Sequence, residues 1–386
     1  MNILFLTDGF TRGGLETHII QLCRILVDSG HTPFLACGSK TNESLNRFFS
    51  KTLPSLSLSF DTKVRSFIET LSFIEKFIDE NKIDVIHAHP FYSLFVGAVA
   101  ANRKRIPLLC TIHGPYSVMG APGPNPKDLW TDIISNSSVI AVSGELGAEF
   151  YKNYRHWPDI QPNIVDLNDV FLEPKKRVML WCGRMDADKI PGLFGLLDLI
   201  DVLPNWRLDI AGAGTEQESV ANRIMSSSSL HDRVSLLGWI DDTSCLMREY
   251  EIIAGMGRVV VEASALAIPC LLVGYDSVKG FVTPNMANAA AFTNFSGRLT
   301  KTENISSIAS TLDAGLYRAN GPEMKLWIAK NRSKEIIGGR YLLSLAHTKS
   351  FRSQKITNFY KKILLTSNRD ASIWYDESFQ IRNDFC

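Results

Sequence analysis

The chain has no cysteines at C-x-x-C spacing, no apolar run long enough to cross a bilayer, no excess of charge of either sign, and no G-x-G-x-x-G after its first apolar segment. Each absence excludes something. The seven cysteines (Cys23, Cys37, Cys110, Cys182, Cys245, Cys270 and Cys386) are odd in number and scattered, several of them in apolar runs. That excludes a disulfide framework or structural zinc site and leads one to expect reduced thiols in the cytoplasm. The most apolar stretch, residues 90–101, is too short to span a membrane, and the first residues lack the basic start of a signal peptide and read as a buried strand. A soluble protein, at most peripheral on a membrane, is expected. A net charge of +1 argues against a general nucleic-acid binder. The missing glycine fingerprint argues against a dehydrogenase.

With 386 residues, 45% of them hydrophobic, the chain has material for two cores. Short apolar segments at residues 3–6, 34–37, 85–87, 108–112 and 139–142 alternate with helical patterns, such as Leu15, Ile19, Leu22 and Leu26, or Phe67, Leu71, Ile74 and Ile78. The stretch from residues 157–163 continuing to 173–177 is polar, proline-bearing and without period, as in a linker. A second alternation follows: strands at 178–182, 207–211, 234–237, 252–253 and 270–273, helices at 192–202, 216–225, 242–250 and 258–266. The expectation is an α/β protein of two doubly wound Rossmann-like domains facing a cleft, residues 1–165 and 166–345. Residues 346–386 form a helical tail. Its Lys349, Arg352, Lys355, Lys361 and Lys362, with Phe351, Ile356, Phe359 and Ile363, suit either anionic lipid or packing back on the N-terminal domain.

Candidate ligand groups fall at predicted strand ends. Gly183-Arg184 is followed by Lys189, then Gly212-Ala213-Gly214, then Gly257-Arg258 leading to Glu262. A departing nucleoside diphosphate develops about two negative charges, and without a bound metal the protein must supply cations or N–H groups. Arg184 offers a planar fork and Lys189 a point charge, each charged hydrogen bond being worth roughly 1.5–3 kcal/mol. In the first half, Gly13-Gly14 opens a helix after the first strand, where a backbone can approach an anion. His87, His89 and His113 end or follow strands but lack a carboxylate or cysteine at ligand spacing, so no metal is expected. His113, before Gly114, is the best placed of them for a substrate.

These motifs, in this order, resemble the GT-B fold glycosyltransferases of family 4: Gly13-Gly14-Leu15-Glu16-Thr17-His18, Ile86-His87-Ala88-His89, Thr111-Ile112-His113-Gly114, Gly183-Arg184 with Lys189, Ala211-Gly212-Ala213-Gly214, Leu237-Gly238-Trp239 and Val261-Glu262-Ala263. The resemblance implies a retaining transferase that moves a sugar from a nucleoside diphosphate, expected to be uridine-linked, to a hydroxyl of a glycan or lipid-linked acceptor in building a cell-surface polysaccharide. It further implies that Arg184 and Lys189 hold the diphosphate and His113 contacts the transferred sugar, the three acting as catalytic groups. Glu262 would bind the ribose, Gly212, Gly214, Trp239 and Ile240 the base, and Gly13 and Gly14 the phosphates and acceptor. Gly257 would leave N–H groups for phosphate, and Arg258 would add a third cation. No cofactor beyond the donor is implied; the acceptor would be read by the loop at 115–126. Ala254 stands where many relatives carry a first Glu eight positions before the ribose Glu, and Glu251 is out of register to replace it. That departure implies altered sugar recognition. The alternatives are an idle nucleotide-sugar-binding partner and a sugar-nucleotide epimerase.

Overall fold

The computed structural model describes residues 1–11, 13–38, 43–59, 62–119, 127–167, 174–240 and 242–365. Arg12, residues 120–126 of the expected acceptor loop and residues 168–173 of the expected linker lie outside them. The chain divides into two units, Met1–Pro162 with the chain from Gly338 onward, and Asn163–Ile337. The second boundary falls inside the helix Lys334–His347.

Ile3, Leu4, Phe5 and Leu6 are all fully buried, as a strand covered on both faces must be. They form β1 (Asn2–Thr7) of the first unit, with β2 (Thr32–Gly38), β3 (Thr52–Leu56), β4 (Val85–His89), β5 (Leu108–Ile112), β6 (Ser138–Ala141) and β7 (Asp159–Ile160). The order is β3-β2-β1-β4-β5-β6-β7, parallel throughout. The chain reverses its direction of winding between β1 and β4, where Thr7 is in register with His89.

The helix Tyr92–Lys104 is buried on nearly every side from Tyr92 to Ala101, which explains its continuous apolar sequence. Asp8, just after β1, caps its start: one carboxylate oxygen accepts from the N–H groups of Phe91 and Tyr92 at 2.9 and 3.1 Å, the other from Ser93 at 2.6 Å. Burial raises the Asp8 pKa, and these three N–H bonds oppose the rise. A single carboxylate thereby ties the β1 loop to the β4 loop.

The last described helix, Gln354–Leu365, lies on this unit. Ile356, Phe359 and Ile363 are buried in its core, and Phe359 meets Phe95 edge to face at 5.2 Å. Asn102 fixes its start, donating to Thr357 Oγ1 at 2.9 Å and accepting from the Ser353 N–H at 2.7 Å. The apolar side of the tail is therefore taken up by protein, and a lipid contact would fall to its basic side.

The second unit holds β8 (Lys175–Cys182), β9 (Arg207–Ala211), β10 (Val234–Gly238), β11 (Tyr250–Gly255), β12 (Cys270–Val273) and β13 (Val278–Phe281), in the order β10-β9-β8-β11-β12-β13. All pairs are parallel except β12 with β13. Only residues 274–277 separate that pair, too few for a parallel crossover, so the chain turns back at the edge of the sheet. Winding reverses here between β8 and β11. Apolar cores cover both faces, one around Leu193, Leu197 and Ile210, the other around Val261, Ala263 and Leu272.

Candidate functional site

Open α/β sheets bind ligands beyond the carboxyl ends of their strands where winding reverses. In the second unit this place is formed by the loops after β8 and β11, which carry Arg184 and Lys189 on one side and Gly257, Arg258 and Glu262 on the other.

Asp186 organises the first loop. Its Oδ2 lies 3.1 Å from Arg184 Nη2 and 4.0 Å from Lys189 Nζ. Arg184 is exposed, whereas Lys189 keeps only 15% of its side chain in solvent. Burial lowers the Lys189 pKa, the Arg184 charge lowers it further, and Asp188 and Asp186 oppose the change. Sequence reasoning missed Asp186, although its three-residue spacing from Lys189 is the available signal.

The glycines after β9 have a packing reason to be glycine. A Cβ on Gly212 would collide with the Gly183 carbonyl, and one on Gly214 with the Met185 backbone. The loops are stitched by Gly183 N–H to Ala211 O at 3.2 Å, Met185 N–H to Ala213 O at 3.0 Å and Gly212 N–H to Gly238 O at 2.7 Å. Trp239 is half exposed beside this stitch, and Ile240 packs partly on the core. Gly212 and Gly214 thus hold the Arg184 loop against β9.

Gly257 has φ 61°, ψ −122° and begins the helix Arg258–Ala265. Its own N–H donates to Phe295 O at 2.9 Å and that of Val259 to Met256 O at 3.3 Å, so neither is free for phosphate as the sequence reading expected. Arg258, the expected third cation, is paired through Nε, while its Nη1 is buried and has no hydrogen-bond partner among the described residues. Its Nε donates to Glu262 Oε1 at 2.6 Å, both side chains being largely buried. Oε1 is used by this pair, and Oε2 makes no hydrogen bond among the described residues. Ala254 is fully buried in β11 in register with Trp181 and Leu271. Glu251, at the strand's other end, accepts from Tyr317 Oη at 2.6 Å, Arg318 at 2.9 Å and the Arg177 N–H at 2.7 Å. Its role is structural.

In the first unit the loops after β1, β4 and β5 meet. Gly13 begins the helix Gly14–Asp28; a Cβ on Gly14 or Gly114 would meet nothing within 4 Å. Open space, not packing, surrounds these two positions. Glu16 already stands at the positive end of this helix, accepting from the Thr11 N–H at 3.0 Å.

Behind the glycines is a cluster of rings. His89 Nδ1 lies 2.9 Å from His113 Nε2 and the two rings stack at 5.1 Å, while His18 abuts His113 edge on at 5.0 Å. His87 is held on both nitrogens, by Tyr341 Oη at 2.9 Å and Thr111 Oγ1 at 2.8 Å. Burial pushes the pKa of His87 down to about 3 and that of His113 to about 4, and lowers His89 as well. All three are neutral at pH 7. Among the described residues no three His, Cys, Asp or Glu side chains are arranged to hold a metal, and no helix is long and apolar enough to cross a membrane.

Two Rossmann-like units, each with its polar groups collected where winding reverses, are the GT-B architecture of glycosyltransferases. Residues 12–169 match the profile described as Glycosyltransferase Family 4. The structure is similar to that of Anabaena HepE in complex with UDP (TM-score 0.69, 18% identity, 90% of this chain and 100% of that one). It is similar also to TarM of S. aureus in complex with Fondaparinux, alpha-GlcNAc-glycerol and UDP (0.64, 12%, 89% and 99%). In sequence, the Escherichia coli UDP-Gal:alpha-D-GlcNAc-diphosphoundecaprenol alpha-1,3-galactosyltransferase is 21% identical over 77% of this chain and 81% of its own length. One subunit of the human phosphatidylinositol N-acetylglucosaminyltransferase is 22% identical over 62% of this chain. The alignment spans about half of the human protein, 53%.

Proposed function

We propose that this protein transfers a sugar from a uridine diphosphate sugar to a hydroxyl of a glycan or lipid-linked acceptor, with retention of configuration, in building a cell-surface polysaccharide. The observation that carries this reading is the Arg184–Asp186–Lys189 arrangement, which keeps two cations together at the switch point with Lys189 largely out of water. A diphosphate that displaces Asp186 from Arg184 gains both cations. Glu262, oriented through Oε1 by Arg258, keeps Oε2 for a ribose hydroxyl. Gly212, Gly214, Trp239 and Ile240 border the place for the base. In the first unit Gly13 and Gly14 border the place for phosphates and acceptor, Gly14 with open space around it, and His113 contacts the transferred sugar. Retention follows the family resemblance, and the UDP named with the HepE structures and the E. coli galactosyltransferase supports the choice of donor and acceptor class. No metal enters this reading.

We place the reaction in the cytoplasm, with peripheral contact at the inner face of an anionic membrane. Buried free thiols support the first part. A cavity of about 670 Å³ lined by Arg103, Arg105, Arg352, Lys361, Tyr360 and Leu364 supports the second.

Titration of the protein with UDP, UDP-sugars and GDP-sugars, followed by thermal unfolding and by transfer to a polyprenyl-diphosphate glycan, tests the reading. Stabilisation by UDP compounds that Arg184→Ala removes, with an axial product linkage from an axial donor, is expected. Failure of every nucleotide to shift the unfolding temperature would sink it. Ala254 favours a second reading, a nucleotide-sugar-binding partner without turnover; binding with no transfer to any acceptor would select it.

A further inference from the structure

We infer that His89 is a positioning residue that fixes the tautomer of His113, making the accessible Nδ1 of His113 a hydrogen-bond donor. The inference rests on the reading above that His113 meets the sugar.

Both rings are neutral at pH 7, so each carries one N–H. A single proton lies between His89 Nδ1 and His113 Nε2, which are 2.9 Å apart. Two assignments are available. If His113 donates, His89 carries its proton on Nε2, an atom that is buried and has no hydrogen-bond partner among the described residues. An N–H without an acceptor would then be sealed inside the unit, the rarer and costlier kind of orphan. If His89 donates from Nδ1, its Nε2 is left with a bare lone pair against aromatic neighbours, Phe5 at 6.0 Å and His18 at 5.9 Å between ring centroids. The second arrangement leaves the smaller deficit, and it leaves His113 protonated on Nδ1.

His113 is half-buried, and its Nδ1 is neither sealed nor engaged among the described residues. Gly114 beside it leaves open space. The one polar atom that His113 offers to a ligand is then an N–H, fitted to an acceptor oxygen of a sugar. The same assignment removes His113 as a general base, because its lone pair on Nε2 is occupied by His89. His89 is held in turn: it lies at the end of β4, its carbonyl accepts from Ser93 Oγ, and its ring packs at a tilt of 35° against His87, 4.5 Å between centroids.

Long-range proton–nitrogen correlation spectra of the full-length ¹⁵N-labelled protein, with His113 assigned by loss of its signals in His113→Gln, report the tautomer without any ligand. Nδ1 of His113 is expected to be protonated from pH 6 to pH 8; protonation on Nε2 would overturn the inference. In His89→Leu the ring should shift toward the Nε2–H form, and kcat should fall about tenfold to a hundredfold with the donor KM little changed. In His89→Asn, whose side chain can donate from the Nδ1 position, the tautomer and most of the rate should return. A His89→Leu protein with the wild-type tautomer and rate would also overturn it. His113→Ala with unimpaired transfer would instead remove the role of His113 in the sugar site while leaving the tautomer result standing, so the two failures are distinguishable. The wild-type spectrum decides the assignment even if a variant does not fold.

Discussion

Arg258 and Glu262, one helical turn apart and both largely buried, close a 2.6 Å charge-assisted bond at the start of the helix that follows β11. A carboxylate pinned through one oxygen presents the other in a fixed direction, so the arginine should act on the ligand through the glutamate. For UDP binding, Glu262→Gln is expected to lower affinity about tenfold to a hundredfold, the worth of one charged hydrogen bond. Arg258→Ala should cause a similar loss, and the double variant should be little worse than either single one, with a coupling of about 0.5–3 kcal/mol. Calorimetric titration of the four proteins measures it. Additive losses would mean that Arg258 touches the ligand in its own right.

Lys189 should be a residue whose removal helps the empty protein and harms the loaded one. Its pKa is lowered in the fold, chiefly by burial and then by Arg184. The unfolded chain therefore holds the proton more tightly, and stability rises with pH across the window that ends at the ordinary lysine value of about 10.4. At neutral pH the fold carries the unfavourable charge. Lys189→Met keeps the buried stem and drops that charge, and the unfolding temperature without ligand should rise by about 1–3 °C. Stabilisation by UDP should largely vanish. Lower stability with normal UDP binding would reduce Lys189 to an ion-pair partner of Asp186.

The parts legible in the sequence were those with one strong local signal. Residues 207–211 alternate charged and apolar side chains, with Leu208 and Ile210 buried, between turn residues on either side, and they are β9 as expected. Edge strands carried less: β3 contains Pro54 and is half solvated, and β7 is two residues long. The antiparallel β13 follows a turn whose shortness, not composition, decides its direction. In the candidate site, cations and glycines at strand ends were readable, but what each one touches was not. Asp186 sharing two cations, Glu262 engaged by Arg258, and Asp8 capping a helix more than eighty residues on depend on side-chain reach across loops. The ring cluster is a similar case. His18, His89 and His113 are separated in sequence and become neighbours because β4 and β5 end, and the first helix begins, at one place.

The basic cavity beside the last helix predicts binding to vesicles. Arg103 is already engaged, paired with Glu75 and lying over the Tyr360 ring at 4.2 Å, whereas Arg105, Arg352 and Lys361 line the same space. Leu365, at the helix end, is 88% exposed, and Leu364 is partly so. Cosedimentation should detect binding to vesicles containing anionic phospholipid and little to neutral ones, weakening with salt. Each of Arg352→Gln and Lys361→Gln should reduce affinity about fivefold, from roughly 1 kcal/mol per cation. Equal binding to neutral vesicles would rule out the headgroup as the partner.

Acid should unfold the N-terminal unit through its histidines. His87 and His113 have pKa values of about 3 and about 4, both depressed first by burial, and His89 is lowered by burial and by the charges of the rings around it. An unfolded histidine titrates near 6.5. Between that value and about 4 the unfolded chain takes up protons that the folded chain refuses, so the stability is fully present above about 6.5 and falls as pH falls. Each such histidine contributes a slope of about 1.4 kcal/mol per pH unit. His87 is not itself a ligand group, and among the described residues its hydrogen bonds go to Tyr341 and Thr111. His87→Gln can retain part of those bonds without titrating, and its loss of stability from about pH 6 to pH 4.5 should be shallower than that of the wild type by one proton. Carboxylates titrate in both proteins and cancel in the comparison. Denaturant unfolding at a series of pH values measures the two slopes, and parallel lines would show that His87 gains its proton without unfolding.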